Sequence, residues 1–439
     1  MKKLLFVLAL AIAFSLQAQH SISGTFSPTK DFTWVIAYRL QPGTQGYIAD
    51  TAVNNGQFNL QIPANAEPGT YRLVYGVPQE DFYFDVLFNG QEDIQLDFDR
   101  DKGVSFRESQ ENKIYHSYFQ EINAAKQQFI DFYSAGKTDK KAYSVLAKKL
   151  EETQIAYENS TKGMLVENFI KANRPYIPSA FETQEVYWQN KKDDFFKHLD
   201  VKNPVLQASG FITDRLSNFV FTPITTEKLS KEASEKSYAQ NLKTVHENVK
   251  TTEPLFQLHI FQKLWNQSVA YGFNDTADFI YKTYLKDLAV STNNQQLINE
   301  IEVSNRLRVG AKAPELTWND AKGAHSLSAM EQADCYVVIF WSSTCSHCLK
   351  ELPALHQQMK DFPKTKVLAI GLEESEIPWK TESAKLSGFE HAIALGKWES
   401  PFVKLYDVHK TPTYYILDKD KRILANPDSD KEVVAFLNQ

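Results

Sequence analysis

A multidomain chain is expected: a small antiparallel β-sandwich at the N-terminus, a central all-α region, and an α/β domain at the C-terminus. Three observations carry this. From Ser21 to about Asp99 apolar and polar residues alternate at period two; between about Phe106 and Leu307 apolar residues recur at intervals of three and four; from Val309 strand-like and helix-like stretches take turns. At 439 residues the chain is too long for one ordinary core. Its 48 basic and 54 acidic residues, net charge -6, leave no broad positive field for a phosphate backbone, so nucleic acid is not an expected partner.

The opening "MKKLLFVLALAIAFSLQAQH" sets Lys2 and Lys3 before an apolar run from Leu4 to about Leu16, then small and polar residues. That order reads as a secretory signal over residues 1–19, cut after Ala18 or Gln19; the competing reading, a membrane anchor, suffers from a run too short to span a bilayer comfortably. Export permits disulfides, yet no cysteine precedes Cys335, so no disulfide framework staples the N-terminal part.

The sandwich is assigned to residues 20–105. Phe58, Leu60 and Ile62 alternate in one segment, Tyr71, Leu73 and Tyr75 in the next, and Ile94, Leu96 and Phe98 in a third, with "NNG" and Asn89-Gly90 as hairpin turns. Residues 106–307 form the helical domain. Ile114, Tyr118, Ile122, Ala125 and Phe129 share one helix face, and Pro175, Pro178, Pro204, Pro223 and Pro254 supply breaks. Its histidines, His116, His198, His246 and His259, show no ligand spacing and read as structural.

Residues 308–439 form the α/β domain. "CYVVIFW" reads as a strand, "CLKELPALHQQMKDF" as a helix, and "KVLAIGL" as a second strand. A helical stretch then runs through about Leu405, strands "TYYILD" and "RILAN" join at an Asp418–Lys421 turn, and "DKEVVAFLN" closes the chain as a helix.

Two of the three cysteines, Cys345 and Cys348, stand in "WSSTCSHCLKELP" where the first strand passes into a helix. Zinc would need two further ligands, and no second Cys-x-x-Cys or paired histidine follows, so no metal is expected. A working dithiol fits better. A thiolate at a helix N-terminus is stabilised by unpaired amides and the macrodipole, which makes Cys345 the nucleophile and Cys348, one turn on, the resolving thiol. Between them His347 either lends positive charge to the thiolate, making the pair more oxidising, or is a solvated side chain. Cys335, early in its strand, reads as a buried inert thiol.

"VVIFWSSTCSHCLKELPAL" and "YDVHKTPTYYILDKDKRIL" together resemble a thioredoxin-like domain of the TlpA and ResA type over roughly Val309 to Gln439. The resemblance implies a thioredoxin-like fold and an exported thiol-disulfide oxidoreductase, commonly a reductant of the bacterial periplasm or cell envelope. It needs no cofactor beyond a redox-active Cys345–Cys348 disulfide, takes protein thiols and disulfides as substrates, and implies a membrane-embedded thiol donor. It matches Pro353 to a proline that kinks the active-site helix and Pro412 to a cis-proline facing the disulfide; Thr411 would present its backbone to substrate, and Trp341 joins these two as a substrate-contacting residue. Thr344 and His347 stand where members usually carry tryptophan and proline, so neither the partner surface nor the direction of electron flow carries over. The β-rich N-terminal segment also resembles a small domain of unknown function that precedes such regions in envelope proteins.

Thioredoxin keeps a buried aspartate six residues before the first cysteine; here that position is Ile339. ResA-type proteins instead place a glutamate three after the second cysteine, which is Glu351. On a helix that is one turn from Cys348, close enough to exchange the resolving thiol's proton, although a glutamate there can also be solvated and dipole-stabilising. The expected function is therefore thiol-disulfide exchange with proteins. Its rivals are an envelope binding or scaffold protein with an auxiliary thioredoxin fold, and a thiol peroxidase suggested by the spacing of Ser342 and Cys345.

Overall fold

The computed structural model describes residues 20–222, 229–320 and 323–439. The expected signal segment and Pro223 lie outside the described residues. The chain folds as two compact units, Met1–Asn293 and Asn294–Gln439. The expected boundaries at 105/106 and 307/308 differ from this division, for reasons found in the packing of each unit.

In the first unit eight strands make two four-stranded sheets. One has the order β4-β1-β7-β8, with β1 Ser21–Ser27, β4 Gln57–Gln61, β7 Ile94–Asp99 and β8 Gly103–Glu108; the other has the order β3-β2-β5-β6, with β2 Trp34–Gln41, β3 Thr44–Ala52, β5 Gly69–Val74 and β6 Tyr83–Phe88. The expected alternation is real: Phe58, Leu60, Tyr71, Leu73, Ile94, Leu96 and Phe98 all point into one core. The sheets are not wholly antiparallel as expected, because β1 runs parallel to β7, pairing Ile22 with Ile94. The "NNG" turn is a two-residue hairpin loop in which Asn55 and Gly56 both take positive φ, 52° and 79°.

The 105/106 boundary falls inside β8, and the helix that follows is tied back to the sandwich. Asn112, in the helix Gln110–Ser134, accepts from the Leu87 amide at 2.8 Å and donates to the Leu87 carbonyl at 2.7 Å, completing the buried edge of β6. Sandwich and helices therefore form one unit. Tyr118, Ile122, Ala125 and Phe129 are buried on that helix as their spacing predicts, and Pro204 and Pro254 each sit in a first helical turn, where a missing N–H costs nothing.

The second unit begins with the helix Gln295–Leu307, whose Leu307 joins the core of the α/β domain; that packing puts the boundary before this helix. A short hairpin of β9 Thr317–Asp320 and β10 Gly323–Ser326 precedes a five-stranded sheet of order β13-β12-β11-β14-β15. Its strands are β11 Cys335–Trp341, β12 Thr365–Glu373, β13 Glu390–Leu395, β14 Thr413–Asp418 and β15 Ile423–Ala425. β11 is parallel to β12 and antiparallel to β14, and β14 returns through the expected turn to β15.

One element differs from expectation: β13, "EHAIAL", lies inside the stretch read as helical through Leu405. Only Ala392 and Ala394 of it are fully buried, so its strand signal is two small side chains that suit a helix as well, and parallel pairing with β12 decides the conformation. The sheet buries both faces. One face packs against the helix Ser346–Gln358 and the closing helix Asp430–Leu437 through Val337, Ile339, Leu352 and Val433; the other covers Val338, Phe340, Leu368 and Tyr406.

Candidate active site

β11 is a central strand with Tyr336 to Trp341 buried throughout, and it delivers the chain to the C-terminal edge of the sheet, where crevices form in α/β folds. A turn follows: the Cys345 amide donates to the Ser342 carbonyl at 3.1 Å, and the Ser342 and Thr344 hydroxyls bond each other at 3.0 Å. Cys345 is the N-cap of the helix Ser346–Gln358, with extended backbone (φ -89°, ψ 115°). Its sulfur accepts from the Cys348 amide at 3.3 Å, taking the place of the oxygen that serines and aspartates offer at this position. The Cys345 thiol also meets the Thr411 carbonyl at 3.4 Å, across a cis Thr411–Pro412 bond.

The two thiols differ sharply. Cys345 is partly exposed, whereas Cys348 is fully buried beside Ile339, Leu352 and Tyr414. Burial alone would raise the Cys345 thiol, but hydrogen bonds to its sulfur, from the Cys348 thiol first, then from Thr411 and the Cys348 and His347 amides, outweigh it and hold it below the ordinary value. Cys348 is pushed up to about 12, by burial first and then by Cys345 beside it. The two shifts run in opposite directions, which makes Cys345 the more acidic thiol of the pair. Cys335 is half-buried rather than fully buried, and burial pushes it up to about 11, which leaves it unreactive.

The other expected site residues divide. Thr411 lies against Cys345, and the His347 side chain is exposed, so the support His347 gives the thiolate comes through its amide. Trp341, expected to contact substrate, is 1% exposed and packs in the core beneath the site. It shares one buried cluster with Cys348, Leu352 and Tyr414. Pro412 is buried too. Glu351 is partly exposed and accepts from the Tyr414 hydroxyl at 3.0 Å. Tyr414 pairs in register with Ile339, the position of thioredoxin's aspartate, and its phenol lies well above the ordinary range through burial, then Glu351, with Cys348 also acting on it.

Two residues escape sequence reasoning. Tyr414 is one, hidden in an ordinary strand pattern. The other is Glu373, the last residue of β12, 3% exposed, which accepts from the Ser343 amide at 2.5 Å and the Ser343 hydroxyl at 2.9 Å. A charged residue closing the apolar run "VLAIGLE" at the C-terminal end of a central strand is the signal that could have found it. Among the described residues no three His, Cys, Asp or Glu side chains converge as metal ligands, and no helix is long and apolar enough to cross a membrane.

Residues 309–425 match the AhpC/TSA family. The thiol-disulfide oxidoreductase ResA of Bacillus cereus is 24% identical over 124 residues, covering 27% of this chain and 69% of the relative. Protein FixW of Rhizobium leguminosarum is 25% identical over 137 residues, 28% of this chain and 61% of its own. Among solved structures, a putative thiol:disulfide interchange protein DsbE from Chlorobium tepidum is 24% identical over 30% of this chain and 94% of its own, with TM-score 0.26. A thioredoxin-like protein from Bacteroides caccae is 18% identical over 60% of this chain and 96% of its own, with TM-score 0.33.

Proposed function

From an AhpC/TSA-type, thioredoxin-like C-terminal domain that carries a paired dithiol, we infer that this chain is an exported thiol-disulfide oxidoreductase that reduces disulfides in other proteins. The observation that carries the reading is the asymmetry of the pair: Cys345 is accessible, capped by amides and held below the ordinary thiol value, while Cys348 behind it is buried and held above.

The Cys345 thiolate attacks one sulfur of a substrate disulfide. The Cys345–substrate bond forms, the substrate's own S–S bond breaks, and the departing thiolate takes a proton from solvent. Cys348 then gives its proton to Glu351 and attacks the Cys345 sulfur. The Cys345–Cys348 bond forms, the mixed disulfide breaks, and the substrate leaves with both sulfurs reduced. Thr411, whose carbonyl already faces Cys345, offers main-chain groups to the incoming peptide. A thiol donor in the membrane would return the two electrons, and the signal-like order of charge and apolar residues at the N-terminus supports an exchange in the periplasm or cell envelope.

Peroxide reduction fits the site less well. The Ser342 hydroxyl is engaged with Thr344, and Arg422, the one arginine after the motif, donates to the Gly310 carbonyl at 3.1 Å. The test is a Cys348→Ala variant expressed with its export signal. Proteins should accumulate on Cys345 as mixed disulfides, released by dithiothreitol and identified by mass spectrometry; an empty Cys345 in the native compartment would sink the reading.

A further inference from the structure

Three cavities of about 420, 350 and 320 Å³ lie within the first unit, and Asp85 lines all three. Each is within the size range of small-molecule sites. The largest has four charged residues on its wall: Asp85, Lys126, Asp214 and Arg215. Of the two acids, Asp85 is paired, and Asp214 is exposed to solvent. Asp85 receives a two-pronged bond from Arg72, both contacts 2.9 Å, and the charges acting on Asp214 are Lys263, Asp85 and Arg72, which reach it from the neighbouring cavity.

The two cations are not neutralised. Among the described residues no carboxylate lies within ion-pair distance of Lys126 or Arg215. Arg215 is held by one bond to the Asn173 side chain, 2.6 Å, and by the rings of Phe195 and Phe211 at 4.9 and 5.8 Å, while its Nε is buried with no partner. The charges that bear on Lys126 are Arg215 and Lys191, both repulsive; burial first and then these two pull its ammonium down to about 7. The Lys126 and Arg215 side chains are both partly buried, and cations that lose water without gaining a counter-charge are costly; a ligand anion is what would complete them. Beside them Tyr115 and Phe119, 4.6 Å apart, and Phe211 supply apolar wall.

We propose that this cavity is a binding site for a small organic anion, its carboxylate or phosphate held by Lys126 and Arg215 and its flat apolar body lying against Tyr115, Phe119 and Phe211. The cavity belongs to the first unit, and the dithiol to the second.

The experiment is calorimetric titration of the full chain with phenylacetate, phenyl phosphate and the neutral isostere phenylacetamide. Saturable binding of one or both anions at a single site is expected, with the amide weaker by about tenfold or more, the worth of one charge-assisted hydrogen bond. Whichever anion binds more tightly identifies the head group. Lys126→Met should weaken anion binding by a similar factor while its thermal melt stays unchanged or rises, since it removes an unpaired charge and strands no partner. Equal binding of the amide, full binding by Lys126→Met, or no saturation by either anion up to about 10 mM, far weaker than small-molecule sites require, would overturn the proposal.

Discussion

The buried carboxylate of Glu373 accepts from both the amide and the hydroxyl of Ser343, two residues before Cys345. It pins the turn between β11 and the active-site helix from below. Glu373→Ala strands a buried N–H and should cost about 1–3 kcal/mol in urea unfolding. It should also shift the pH midpoint of Cys345 alkylation toward that of an ordinary thiol. Ser343→Ala, which keeps the amide bond, should cost about 1 kcal/mol and leave that midpoint in place. Identical behaviour of the two variants would mean the carboxylate does not hold the turn.

Alkylation of the reduced, folded protein should label one thiol. Because the folded value of Cys345 is lowered, its reaction with iodoacetamide persists at pH values where ordinary thiols, at about 8.5, are mostly protonated, and declines only as pH falls through the lower value. Cys335 and Cys348, pushed up to about 11 and about 12, should stay unlabelled until denaturant is added. Cys348→Ala should move the Cys345 midpoint upward, since the Cys348 thiol is the foremost of the groups that lower it.

His347 acts on the pair through its amide, while its ring is in solvent. His347→Pro removes that donor, destabilises the thiolate and should make the couple more reducing by about 30 mV, the equivalent of tenfold in its equilibrium constant. His347→Ala keeps the amide and should shift the potential little. Titration in graded dithiol buffers separates the two, and a large shift in the alanine variant would restore the role to the imidazole.

If Glu351 handles the proton of Cys348, Glu351→Gln should slow release of a mixed disulfide by about 10- to 100-fold and leave the first attack, by Cys345, unchanged. Tyr414→Phe removes the hydroxyl that orients the carboxylate and should produce a smaller loss of the same kind. Stopped-flow measurement of both phases on a disulfide peptide checks this, and equal slowing of the two phases would point to general disturbance of the helix.

The dithiol was legible because its parts are adjacent in sequence: strand, turn, Cys-x-x-Cys and helix follow one another within "VVIFWSSTCSHCLKELPAL". The alternating strands of the sandwich and the face of Tyr118, Ile122, Ala125 and Phe129 were legible through periodicity. What was hidden depends on pairing between distant segments. Glu373 carries a local cue, a charge closing the apolar run "VLAIGLE", but its burial, unlike that of the exposed Glu374 beside it, depends on the turn at Ser343, thirty residues away. β13 carries two alanines as its buried residues and needs β12 beside it to be a strand. The parallel pairing of β1 with β7 joins segments with five strands between them in the chain, and the bond of Asn112 to β6 is a single asparagine in a helix. The cavity between Lys126 and Arg215 unites side chains from helices far apart in sequence.

Under the proposed exchange, complete burial of Cys348 divides the reaction into two steps of different order. An incoming molecule can touch one sulfur alone, so capture depends on how many such molecules are present. On that mechanism, release by Cys348 is intramolecular and its rate does not depend on partner concentration, although a thiol in solution can still reach the mixed disulfide at the partly exposed Cys345. Where no other thiol intervenes, the proposed mechanism makes the lifetime of an attached partner depend on the packing around one side chain.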